Sequence, residues 1–221
     1  MSNSPAIATV TAVLQKVLAE ALENDAAVVG GHAVTMDRPD GPSHGAEVRV
    51  YLYQVLPNAA GRNTDLPSRR ADGTLVARPA LALDLHYLIS FFGKESDLEP
   101  QRLLGSVART LHAQPVLSRE TISKLAQADD SPDWLKASTL ADQVDLVRFT
   151  PLPLTLEDLS KLWSVFFQTK YTLSVAYQAS AVIIESDAVA PEPAVPVRER
   201  HVDVVPVRRP AIEHTPRRVR P

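Results

Sequence analysis

The chain has 221 residues, of which 45% are hydrophobic, and its formal net charge at pH 7 is −3. This length accommodates one medium-sized domain with an appendage, and the near-neutral charge argues against a nucleic-acid partner. The absence of cysteine excludes disulfides and thiolate metal sites. The N-terminus lacks the regions of a signal peptide, and no apolar run approaches the roughly 20 residues that span a bilayer. The sequence therefore predicts a protein that folds in the cytoplasm without membrane contact.

The first half of the chain reads as a helix followed by strands. Ser4 and the proline after it are typical of a helix start, and apolar residues recur at helical spacing over residues 7–21. Residues 28–36 are apolar and β-branched. Residues 47–56 and 80–92 alternate between apolar and polar side chains, which predicts two strands, the second being the clearest in the chain.

The second half alternates helices with strands. A helix carries an apolar stripe from Leu103 to Leu111, and Ser118 opens a shorter one. Residues 144–149 predict a short strand, Thr155 opens a helix with a capping box, and residues 171–185 predict a long closing strand. This order predicts an α+β domain whose mostly antiparallel sheet is covered by helices on one side.

Asp84 and His86 are the best candidates for chemistry. They stand two residues apart on a strand and so share a face, where they could begin a metal site or an acid/base pair. No third ligand follows at an informative spacing, and a hydrogen-bonded structural pair is the commoner meaning of this pattern. Phosphate-loop, dinucleotide and nucleophile-elbow motifs are absent. We therefore expect no catalysis, cofactor or metal, and keep a small ligand-binding or metal-dependent domain using this pair as the alternative.

A long polar loop, residues 57–73, separates two strands and carries Arg62, Asn63, Arg69 and Arg70. Loops of this length inside a compact domain are uncommon and often functional. One interpretation is a solvated hairpin tip. The other is a contact loop whose arginines bind carboxylates of a partner.

The domain is predicted to end at residue 186, leaving residues 187–221 as a tail. This tail contains seven prolines, which predicts an extended or disordered segment without a core of its own. From Val197 onward, seven arginines against three acidic residues give a local charge of +4. Arg208 and Arg209 are the candidate contacts here, and an acidic surface is the expected partner.

Three segments carry a resemblance to a known family. They are YLYQVLPNAAGRNTDLPSRRADGTLVARPALALDLHYLISFFG (51–93), QRLLG with PVL (101–105 and 115–117), and LWSVFFQTKYTLSVAYQASAVIIES (162–186). Together they resemble the N-terminal domain of cap proteins from extracellular contractile injection systems, such as the antifeeding prophage and the Photorhabdus virulence cassettes.

This resemblance implies a tail-terminator fold and a structural function. In that family the subunit forms a hexameric ring on the last layer of the inner tube and sheath, at the end distal to the baseplate. The partners implied are five further copies of the chain, the inner tube protein and the sheath protein, within a phage tail-like particle that can be released.

Overall fold

The computed structural model describes residues 3–28, 31–43, 45–61, 68–69, 75–77, 79–166 and 169–185. The helices are α1 (Ala6–Glu23), α2 (Glu99–Ala113), α3 (Arg119–Ala126), α4 (Asp133–Lys136) and α5 (Leu156–Ser164). The strands are β1 (His32–Thr35), β2 (Ala46–Pro57), β3 (Ser68–Arg69), β4 (Leu75–Ala77), β5 (Ala80–Phe92), β6 (Arg148–Leu152) and β7 (Ser174–Glu185). Among these helices, none is both long and apolar enough to cross a membrane.

Five strands form one sheet in the order β1-β2-β5-β7-β6. Every neighbouring pair is antiparallel except β1 and β2, which are parallel. The two remaining described strands, β3 and β4, pair with each other antiparallel. The predicted α+β class with a mostly antiparallel sheet is therefore confirmed.

The two faces of the sheet bury different clusters. On one face, alternate residues such as Val50 and Ile89 join the main core with the buried stripe of α1. On the other face, Leu88 packs against Trp163 and Phe166 from α5 and its end. Helices therefore cover both faces, and the prediction of one covered side is wrong. The reason is that the second face of the central strands is also partly apolar, and it needs a cover of its own.

The two helix starts with hydroxyl caps are confirmed. The Ser118 hydroxyl accepts a hydrogen bond from the Thr121 N–H, and Thr155 forms a complete capping box with Asp158. Ser4 does not cap α1, whose N-cap is Pro5 without a side-chain bond.

Two strand boundaries differ from the prediction. The strand expected at 144–149 lies at Arg148–Leu152, and β7 begins at Ser174 rather than 171. Tyr171 instead packs edge-on against Trp163, with ring centroids 5.4 Å apart, so this residue serves the α5 cluster and not the sheet.

Candidate functional site

Asp84 and His86 lie side by side on the α5 face of β5. The Asn58 amide nitrogen donates to the Asp84 carboxylate (2.7 Å), and its amide oxygen accepts from the N–H groups of Ala60 and Gly61 (2.9 and 3.0 Å). Burial lowers the pKa of the His86 imidazole, and the nearby Asp84 carboxylate offsets this in part. Asp84 thus holds the turn from which the long loop departs.

The described residues contain no group of three or more His, Asp or Glu side chains placed to hold a metal ion. The His86 ring instead packs against Tyr53, with centroids 6.0 Å apart. The alternative metal-dependent function therefore gains no third ligand from the described part of the chain.

Most of the predicted contact residues lie outside the described residues. These are Arg62, Asn63, Arg70, Arg208 and Arg209, together with all of the tail from 187 to 221. Arg69 is described through its backbone alone, in β3, where it pairs with Leu75 of β4. The segment predicted as a long polar loop therefore contains the short strand β3, which pairs with β4.

The β6 edge of the sheet is closed to a further strand. The Phe149 N–H donates to the Pro115 carbonyl (2.6 Å), and the Leu117 N–H donates to the Val147 carbonyl (2.9 Å). Alternate residues of a strand direct their N–H groups towards the same edge. The next outward N–H after that of Phe149 would therefore belong to position 151, which is Pro151 and has no N–H. Proline at an edge strand blocks pairing with a neighbouring chain, so contacts at this edge must use side chains.

A side-chain pocket lies at the end of this closed edge, and we call it the proline pocket. Its volume is about 490 Å³, and it is lined by residues 151–154, Leu159 and residues 174–177. None of these side chains is charged at neutral pH. Leu156, two residues after Leu154 of the lining, is 86% exposed. The pocket therefore fits an apolar side chain.

The opposite edge carries an exposed loop, residues 36–43, held by a buried arginine; we call it the clamped loop. Arg49 is 2% exposed and donates to three main-chain carbonyls of the loop: Arg38 (3.1 Å), Gly41 (2.8 Å) and Pro42 (2.6 Å). Its guanidinium also stacks on the Phe92 ring, 4.4 Å from the centroid, and donates to the Glu47 carboxylate (2.9 Å). The loop is fixed at its backbone by one side chain from β2.

The side chains of the clamped loop face outward in part. Met36 is 49% exposed, and Asp37 is also exposed. Arg38 pairs with Asp40 (3.0 Å) and lies over the Phe166 ring, 5.7 Å from its centroid. Because its backbone is held by Arg49, this loop presents its exposed side chains at fixed positions.

Sequence reasoning missed the clamped loop, although a signal was present. Glu47 and Arg49 alternate with Val48 and Val50 in β2, which puts two opposite charges on the second face of a central strand. Charged residues are seldom fully buried unless paired, so an alternating pair within a confident strand predicts an internal ion pair.

Comparison with known proteins points to one group of particles. The fold is similar to the sheath/tube terminator, in its extended state, of PVC, an extracellular contractile injection system. That match has 18% identity and a TM-score of 0.57, and it covers 90% of this chain and 62% of that one. The fold is also similar to the tube-terminating cap of the anti-feeding prophage, at 18% identity and a TM-score of 0.50, covering 86% of this chain and 59% of that one.

This chain thus spans about 60% of the length of the solved chains it matches. No curated protein matches it at a significant level. The family model of the Pvc16 N-terminal domain matches residues 9–198, which is most of the chain and includes both edges of the sheet. The chain therefore belongs to the Pvc16 N-terminal domain family.

Proposed function

We propose that this protein is the structural cap, or tail terminator, of a contractile injection system. Six copies form a ring that ends the inner tube and sheath at the end distal to the baseplate. The observation that carries this proposal is the family match over residues 9–198, supported by a fold shared with a sheath/tube terminator over 90% of the chain. The protein acts by binding, without catalysis or a cofactor.

The described surfaces support a binding function. Both sheet edges carry a preformed feature, namely the clamped loop at β1 and the proline pocket at β6. The buried Arg49 guanidinium bonds to three main-chain carbonyls, so this ionic group fixes the shape of the loop. Identical subunits that present fixed and different surfaces can close into a ring.

Two basic segments are proposed to bind the neighbouring layers. Arg62, Asn63, Arg69 and Arg70 of the long loop contact an adjacent subunit or the layer below, since arginine holds carboxylates with two parallel hydrogen bonds. Arg208 and Arg209 of the tail 187–221 bind an acidic surface on sheath or tube subunits. The protein assembles with the particle in the cytoplasm and remains part of it if the particle is released.

The proposal is tested on particles assembled with and without this chain. Electron cryo-microscopy should show six copies at one end of each wild-type particle, and native mass spectrometry of the released ends should give a hexamer. Particles that lack the chain should have sheaths of uneven length, because nothing stops polymerisation. Absence of the chain from particle ends, or its presence there as a single copy, would contradict the proposal.

A further inference from the structure

We propose that neighbouring subunits of the ring join head to tail by inserting Met36 of the clamped loop into the proline pocket of the next copy. This inference rests on the ring proposed above and names the two surfaces that close it. The occupant of the pocket is thus a second copy of this chain.

Strand register places the two surfaces at the same height on opposite edges of the sheet. Thr35 of β1 pairs with Arg49, Arg49 pairs with Ser90, and Ser90 pairs with Ser174 of β7. Ser174 lines the proline pocket, and Met36 directly follows Thr35. One transverse row therefore connects the clamped loop with the pocket.

This placement suits a ring. Five strands spaced about 4.8 Å apart put the two edges roughly 19 Å from each other. If a second copy lies beside the first, with its β1 edge next to the β6 edge of the first, its clamped loop reaches the proline pocket of the first copy. Because the two surfaces differ, the contact is heterologous, and a heterologous contact forms a ring when the rotation between successive copies closes.

The chemistry of the two surfaces is complementary. The pocket has no charged lining residue, and methionine is an unbranched, adaptable side chain that fills irregular apolar gaps. Next to Met36, Asp37 is exposed; Lys170 is exposed four residues before Ser174. Within the described part of the chain, neither Asp37 nor Lys170 forms an ion pair. In the proposed contact, the Asp37 carboxylate, next to Met36 in sequence, faces the Lys170 ammonium group, which precedes the pocket segment 174–177 by four residues.

Both surfaces are fixed before they meet. Arg49 bonds to three carbonyls of the clamped loop, and the pocket wall contains Pro151 and Pro153, whose backbones are restricted. Association then orders few additional groups, which lowers its entropic cost.

The test uses paired cysteines, which is direct because the chain has no cysteine of its own. Met36→Cys and Leu154→Cys are introduced together, and capped particles are oxidised with diamide. Disulfides need Cα atoms less than about 7 Å apart, so these two positions cannot bridge within one chain. We expect a reducible ladder of covalent species that ends at the hexamer.

The controls separate this inference from the proposed function. Each single variant, and the pair Met36→Cys with Val144→Cys, should give no ladder, because Val144 is 83% exposed but lies beyond the other end of β6. Hexameric rings without a ladder of cross-linked species, or cross-linked species that stop at a dimer, would overturn the head-to-tail contact. Either result would leave the proposed ring itself unaffected. Particle ends without rings would instead refute the proposed function.

A charge exchange provides a second, independent readout. Asp37→Lys and Lys170→Asp should each lower the fraction of capped ends by placing like charges together. The double variant should restore capping toward the wild-type fraction. If the double variant is as defective as the two single changes combined, the two residues do not face each other and the contact is refuted.

Discussion

At the residue scale, buried polar side chains in this protein hold the backbone. Arg49 secures the clamped loop, and Gln143, which is 3% exposed, donates to the Ala181 carbonyl while accepting from the Ile183 N–H (3.0 Å). Ala181 has a positive φ of 64°, which is unfavourable for a residue with a Cβ atom. Gln143 therefore stabilises an irregular point of β7, as Arg49 stabilises a loop.

Replacing the buried arginine should destabilise the protein strongly. In Arg49→Met, the Glu47 carboxylate loses its buried cation and three loop carbonyls lose their donor. Removing one partner of a buried ion pair costs about 3–5 kcal/mol. The free energy of unfolding from urea titration should fall by about that amount.

Arg38→Ala is the matched control for this change. Arg38 belongs to the same loop, but its side chain is 57% exposed, and an exposed ion pair contributes about 1 kcal/mol or less. Equal losses of unfolding free energy in both variants would show that Arg49 does not act as the clamp.

At the element scale, the features set by local chemistry could be predicted, and those set by tertiary contacts could not. Ser118 and Thr155 cap their helices because a hydroxyl needs only the next turn as its partner. The position of β6 depends on Pro115 and Leu117, which are distant in sequence from Phe149. The same limit applies to the clamped loop. Arg49 binds main-chain carbonyls, and because every residue has one, the sequence does not reveal which of them it binds.

The closed β6 edge leads to a test with a single substitution. Pro151→Val restores an outward N–H at an exposed edge, and such edges pair with other chains. We expect the melting temperature to change little, while light scattering shows association that increases with protein concentration. Leu152→Val, whose N–H points towards β7, is the control and should remain monodisperse. Equal behaviour of the two variants would mean that segment 115–117 alone closes the edge.

At the scale of the whole molecule, the edge surfaces and the point where the long loop leaves β2 lie at different heights. The clamped loop and the proline pocket share the row of Arg49. The long loop departs after Pro57, eight residues further along β2, or about 26 Å at 3.3 Å per residue. From this separation we expect contacts within the proposed ring at the edges, and we expect the long loop to reach the layer below rather than an adjacent subunit.

Substituting the arginines of the long loop should therefore separate ring formation from docking. Arg62, Arg69 and Arg70 changed together to alanine should leave the melting temperature and the hexamer nearly unchanged, because we expect the side chains of this polar loop to be solvated, and solvated charges contribute little to stability. Electron microscopy should show free rings and uncapped, over-long sheaths. Alanine at Lys94, Arg102 and Lys124, which are exposed before α2, on α2 and on α3, should leave capping normal. Early melting of the arginine variant with normal capping would place these arginines in the fold.

The clamp on loop 36–43 also constrains how this segment can vary between relatives. Arg49 binds main-chain oxygens, which every residue type provides, so the side chains at positions 38, 41 and 42 are free to change. An inserted or deleted residue would move those oxygens away from the guanidinium. Surface loops usually tolerate changes of length as well as of sequence. In this loop the two tolerances are separated: the side chains at positions 38, 41 and 42 can change, while the length of the loop stays constant for as long as the arginine is kept.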